Sequence, residues 1–188
     1  MIEGGIIRGN PQEKKLSLVF TGHEFADGAK VISRTLKKNK VKGSFFLTGD
    51  FYRRYPDITY RLQKEGNYLG PHSDKHLLYA DWTKRDSTLV TKDVFEKDLR
   101  ENYLAMEKSG LKIEEPRYFI PSFEWYNRQI SDWAKQLKVQ VVNFTPGTGS
   151  NADYTTPDMK SYKSSDTIYN NILRYEEKNT LNGFMLLI

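Results

Sequence analysis

The chain has 188 residues, no cysteine and a net charge of +5. The missing cysteines exclude disulfides and thiolate metal sites, so a bound metal must take nitrogen and oxygen ligands. Hydrophobic residues make up 38% of the chain, with 3 Trp, 12 Tyr and 10 Phe, which fits one folded domain over residues 1–188 and excludes a disordered segment.

Leu16–Phe20 reads as a strand, and Asp27 or Gly28 opens a helix with Val31, Ile32 and Leu36 on one face. Gly43–Thr48 reads as a buried strand. A helix follows, with Pro56 in a first turn, Ile58 and Leu62 inward and Gly66 terminating it. Tyr68–Gly70 is a short strand. Thr91 caps a long helix through Ser109, with Val94, Phe95, Leu99, Tyr103 and Met106 inward. Tyr118–Ile120 is strand-like, Asn127 caps a helix carrying Ile130, Trp133, Ala134 and Leu137, and Val139–Phe144 is a strand. Residues 145–165 form a long loop, rich in Thr, Ser, Gly, Asn and Pro. Asp166 then caps a helix with Ile168, Ile172 and Leu173, and Phe184–Ile188 is a last strand. Six β–α repeats predict a mainly parallel sheet with helices outside, either a barrel or an open doubly wound sheet. The chain stops inside what reads as a buried strand, which predicts a fragment of a longer chain.

No stretch reaches the roughly 18 apolar residues of a membrane span. Met1–Asn10 lacks the basic-then-apolar pattern of a signal peptide. The lysines gather at helix ends and turns, as at Lys37, Lys38, Lys40 and Lys42, and read as a solvated surface. No nucleic-acid-binding motif accompanies the charge.

All three histidines fall in two loops that follow strands: His23 in Phe20-Thr21-Gly22-His23-Glu24, and His72 and His76 in Pro71-His72-Ser73-Asp74-Lys75-His76. Active sites of α/β folds gather at the carboxyl ends of strands, and imidazole is the commonest metal ligand. The intervening Ser-Asp-Lys excludes the His-Glu-x-x-His zinc-protease motif. A catalytic zinc-type site needs about three protein ligands and an open position. The first loop offers His23, Glu24 and Asp27 as the third ligand, and Asp27 has a competing use as a helix N-cap. Pro121-Ser122-Phe123-Glu124-Trp125-Tyr126, after the fourth strand, sets aromatic rings beside a carboxylate. It is a candidate sugar platform through Pro121, Glu124, Trp125 and Tyr126.

These features resemble the polysaccharide deacetylase family, the NodB-homology or carbohydrate esterase type. Leu16–Phe20 stands where that family's first strand runs into Thr-Phe-Asp-Asp-Gly. Val41–Gly49 is similar to its Val-Lys-Ala-Thr-Phe-Phe segment, Gly66–His76 to its Gly-His-Glu-Ile-Gly-Asn-His-Thr-x-x-His motif, and Ile120-Pro121 to part of its Arg-Pro-Pro-Tyr motif. The resemblance implies a distorted (β/α) barrel, here without its C-terminal end. It implies a divalent metal, often zinc, on His72 and His76, and hydrolysis of N- or O-acetyl groups on a saccharide. It also implies a periplasmic or secreted location. The first motif departs from the family. Counting back from Phe45, Thr21 and Gly22 fall where the family has its base and metal aspartates. An alternative set is His23, His72 and His76 on the metal with Glu24 as base; a shifted register would instead put Asp27 on the metal. A noncatalytic glycan-binding relative is the competing reading.

Overall fold

The computed structural model describes residues 1–115 and 117–188. Six short strands, β1 (Ser17–Gly22), β2 (Gly43–Leu47), β3 (Tyr68–Pro71), β4 (Arg117–Phe119), β5 (Val139–Val141) and β6 (Met185–Leu187), alternate with six helices. The helices are α1 (Ala29–Lys38), α2 (Gly49–Arg54), α3 (Pro56–Lys64), α4 (Lys92–Lys108), α5 (Arg128–Gln136) and α6 (Ser165–Asn179). None is long and apolar enough to cross a membrane.

Every strand pairing is parallel, in the orders β3-β2-β1-β6 and β4-β5. The two sheets meet through isolated hydrogen bonds, not ladders. Ile120 N donates to Pro71 O (3.4 Å) between β3 and β4, and Thr145 N, after β5, donates to Met185 O (2.9 Å) of β6. The N-terminal segment adds a parallel bridge beside β5, with Ile6 N on Val141 O (2.9 Å) and Asn143 N on Ile6 O (2.9 Å). The result is a distorted (β/α) barrel. Val19, Phe46, Ile120, Val142 and Leu187 fill its interior. Alternation along β1 and β2 turns Phe20, Phe45 and Leu47 outward, onto Leu36, Phe51, Leu62 and Met106 of the helical layer.

The caps at Thr91 and Asn127 form as expected, their side chains accepting from Val94 N (3.3 Å) and Ile130 N (3.1 Å). Four local expectations are corrected. The helix after β2 is two helices: Tyr55 leaves the helical region (φ −129°, ψ 50°), and Pro56, which lacks an N–H, starts α3. Gly28, not Asp27, occupies the N-cap of α1, with no side-chain cap bond. Ser164 caps α6 by accepting from Thr167 N (3.2 Å), which leaves Asp166 in the first turn. Val31, Val94 and Leu173 face solvent.

Candidate active site

The carboxyl ends of the strands open into a cleft of about 710 Å³. The end of β1 contributes Thr21 and Gly22, the loop after it His23, and the loop after β3 His72 and His76. Phe123, Glu124 and Trp125 follow β4, and Asn151, Asp153 and Tyr154 come from the long loop after β5. The topology thus brings the two histidine loops together, as their positions after strands predicted.

Polar groups on α4 hold the second histidine loop. Asn102 Oδ1 accepts from His72 N (3.0 Å), and its amide donates to Leu47 O (3.3 Å). The buried Asp98 carboxylate accepts from Asp74 N (2.9 Å), Lys75 N (3.2 Å) and Tyr79 Oη (2.6 Å). Asp74 pairs with Arg53 (2.8 Å). Its Oδ1 lies 1.8 Å from where a Cβ on Gly49 would sit, so glycine is required at the start of α2. These bonds keep Ser73 and His76 in the left-handed backbone region, at φ 73° and 56°, which costs on the order of 1 kcal/mol per residue and persists only when over-determined.

The imidazoles differ in environment. His72 is 2% exposed, and its Nδ1 lies 2.9 Å from Ile120 O. A carbonyl only accepts, so Nδ1 carries the proton and Nε2 keeps its lone pair. Burial first, then the neighbouring His76, pushes the His72 pKa down to about 3. Burial and His23 lower His76 to about 4. The His76 ring is sandwiched between His23 (centroids 4.6 Å apart, planes at 10°) and Phe123 (4.3 Å).

Glu124 reaches into the same space. It follows Phe123, and both residues take positive φ, 53° and 61°. Its Oε1 lies 3.7 Å from His72 Nε2, and Thr21 lines the cleft with it. Burial lifts its pKa to about 7, with Thr21 opposing the rise and Asp153 adding to it. Glu124 up and His72 down together make this a neutral contact below pH 7, not an ion pair. At 3.7 Å the two do not hydrogen-bond directly.

The donor chemistry fits a divalent metal at His72 and His76: two imidazoles kept neutral, one with its tautomer set by a backbone carbonyl. His23 does not complete the set in this arrangement. Its ring lies parallel over His76, so their in-plane lone pairs cannot meet at one point, and its Nδ1 lies 3.3 Å from Thr48 Oγ1. Among the described residues no three histidine, aspartate or glutamate side chains form a metal cluster. Glu24 stays outside the cleft lining, 3.9 Å from His23, while its carbonyl accepts from Arg54 and Tyr55. Asp27 also lies outside the lining.

Of the proposed sugar platform, Glu124 and Trp125 line the cleft. Tyr126 is fully buried, with its hydroxyl on Ile2 O (3.0 Å), and Pro121 is buried ahead of the turn. Trp82 joins the wall. It stacks on Trp125 (5.5 Å, 26°) and meets Phe123 edge-on, while Arg85 covers Trp125 at 4.3 Å. Sequence reasoning missed Trp82, Phe123, Asp153, Asp98 and Asn102. The signal for the last two was a pair of polar residues four apart on the otherwise apolar face of α4.

The site makes stability depend on pH in the metal-free protein. His72 and His76 sit below their ordinary 6.5. Between that value and theirs the unfolded chain binds more protons, so stability falls as pH falls. Glu124 is raised from 4.5, binds its extra proton in the folded state, and acts oppositely between 4.5 and about 7. Two imidazoles outweigh one carboxyl. The urea midpoint is therefore expected to fall from pH 6.5 to 4.5; a flat or rising midpoint over that range contradicts the buried, neutral histidines.

A parallel (β/α) barrel with imidazoles and a half-buried carboxyl at the carboxyl ends of its strands is the class of scaffold defined here. The profile of the polysaccharide deacetylase family matches residues 8–142. The chain belongs to that family. It is 41% identical over 69 residues to the peptidoglycan-N-acetylmuramic acid deacetylase PdaA of Bacillus subtilis, covering 36% of this chain and 26% of that protein. It is 26% identical over 146 residues to the B. subtilis protein YlxY, covering 76% of this chain and 42% of YlxY. These matches span well under two thirds of the curated relatives' length. Among solved structures, B. subtilis PdaA superposes with a TM-score of 0.76 at 22% identity, covering 99% of this chain and 71% of that one. A CE4 family pseudoenzyme from Bacillus anthracis superposes with a TM-score of 0.76 at 18% identity, covering 100% of this chain and 59% of that one.

Proposed function

We propose that the cleft binds an acetylated saccharide and that the chain hydrolyses its acetyl group, with His72 and His76 holding a divalent metal ion, zinc by ligand chemistry, and Glu124 as general base. The observation that carries this reading is the Glu124 carboxyl. It is largely buried, 3.7 Å from the free Nε2 of His72, in the same cleft lining as Thr21, the position that stands in for one of the family's aspartates. A bound metal would polarise the acetyl carbonyl. Glu124, with a pKa near 7, takes the proton of the attacking water. The water oxygen joins the acetyl carbon, the bond from that carbon to the sugar nitrogen or oxygen breaks, and acetate leaves. His23, one-third exposed at the rim, is placed to give the departing sugar atom its proton. Trp82 and Trp125 offer ring faces to the saccharide. The deacetylase names of PdaA and other relatives support the substrate class, and the peptidoglycan in those names supports a working place in the periplasm or outside the cell.

A noncatalytic glycan binder is the second reading, favoured by Thr21 and Gly22 at the end of β1, where neither side chain can ligate or act as a base. Acetate release from an N-acetylated chito-oligosaccharide in the presence of zinc, cobalt or nickel separates the two. Wild type is expected to release acetate. Glu124→Gln is expected to lower kcat by about 100-fold or more at unchanged saccharide affinity. Trp82→Ala is expected to weaken binding by about tenfold without unfolding the chain. Saccharide binding with no acetate from wild type under any metal establishes the second reading. Release unaffected by Glu124→Gln removes that residue from the chemistry.

A further inference from the structure

Beside the cleft, a second groove of about 450 Å³ runs between the 144–151 segment and α6. Phe144 and Asn151 line both, so the two adjoin. Lys163, Arg174 and Lys178 stand along the groove, and its lining holds no carboxylate. Arg174 and Lys178 are one turn apart on the same face of α6. Lys163 comes from the chain entering α6, and its ammonium lies 2.9 Å from where a Cβ on Gly149 would sit. None of the three takes part in an ion pair among the described residues. The contrast is α4, where Lys92 and Arg100 flank Glu96 at helical spacing and both pair with it.

The floor is also fixed. Tyr175 packs over Gly147, where an added Cβ would meet the ring at 2.4 Å, and it meets Phe184 edge-on at 5.2 Å. The aromatic rings of Phe144 and Tyr175 in the lining, amides at Asn171 and Asn179, and unpaired cations along one side are the chemistry that receives a sugar ring carrying a carboxylate. We infer that this groove is a subsite for an acidic saccharide unit, adjoining the unit held in the cleft. The assignment rests on the saccharide reading of the cleft but not on hydrolysis there.

Titration calorimetry with tetragalacturonate, beside neutral chitotetraose followed by tryptophan fluorescence, tests it. Tetragalacturonate is expected to bind wild type and to weaken steeply between about 0.05 and 0.3 M salt, where the screening length shortens. Arg174→Glu with Lys178→Glu, both on the solvent side of α6, is expected to cost at least about tenfold in that affinity, one charge-assisted bond or more. The same variant is expected to leave chitotetraose binding unchanged. Uronate binding indifferent to the charge reversal overturns the subsite. So does an absence of uronate binding, or a single-stranded oligonucleotide of matched charge binding as tightly. Uronate binding that responds to the reversal, with no chitotetraose signal, keeps the groove and sinks the saccharide reading of the cleft.

Discussion

His72→Ala is expected to abolish stoichiometric zinc binding. Elemental analysis of wild type after incubation with zinc should find about one ion per chain, with affinity in the variant lowered by more than about 100-fold, since even loss of a residue supporting a ligand costs 10–100-fold. The imidazole is buried at the centre of the cleft. Its Nδ1–H is committed to Ile120 O, and its Nε2 is directed toward Glu124. Its removal leaves a buried carbonyl without a donor, which costs roughly 1–3 kcal/mol. A destabilised fold could therefore mimic a lost ligand. His76→Ala separates the two effects. That ring is partly exposed and no hydrogen bond to it is recorded among the described residues, so the variant should lose zinc while melting close to wild type. Full zinc occupancy in a folded His72→Ala or His76→Ala protein would overturn the metal assignment.

Asp98→Ala is expected to destabilise the chain by about 3 kcal/mol, or about 10 °C in Tm for a chain of this size. Its carboxylate satisfies two backbone N–H groups of the histidine loop and the hydroxyl of Tyr79, which is wholly buried. Hydrogen bonds to a charged group contribute about 1.5–3 kcal/mol each; Asp74 N and the Tyr79 hydroxyl are buried, while Lys75 N is part-buried and can turn to water. The loop that holds Ser73 and His76 in the left-handed region would lose its main restraint. Zinc affinity should fall with stability, although Asp98 touches no metal. Asp98→Asn keeps an acceptor and should fall between the two. A melting point within about 2 °C of wild type would mean that the loop is organised by something else.

Much of the architecture was legible because it is local. The order of strands and helices follows from apolar periodicity, and the starts of α4 and α5 from Thr91 and Asn127, whose side chains cap whatever helix begins beside them. The two segments most similar to the family, Val41–Gly49 and Gly66–His76, are contiguous and carry β2 and the histidine loop intact. The break at Tyr55 was less legible. Pro56 marks a helix start equally well inside a single longer element.

From the residues alone came the parallel α/β class, the gathering of all three histidines at the carboxyl ends of strands, and the family. Each depends on order along the chain. Only the tertiary structure decided which carboxylate enters the site. Glu24, next to a histidine in sequence, lies outside the cleft, while Glu124, a hundred residues away, lines it at the left-handed turns of Phe123 and Glu124, with its carboxyl 3.7 Å from His72 Nε2. Closure of the barrel likewise stacked His23 on His76, set Asp98 and Asn102 behind the histidine loop and brought Asp153 over the cleft. Spacing along a chain sets how far a side chain can reach, but its direction comes from backbone twist and from what the opposite wall leaves open.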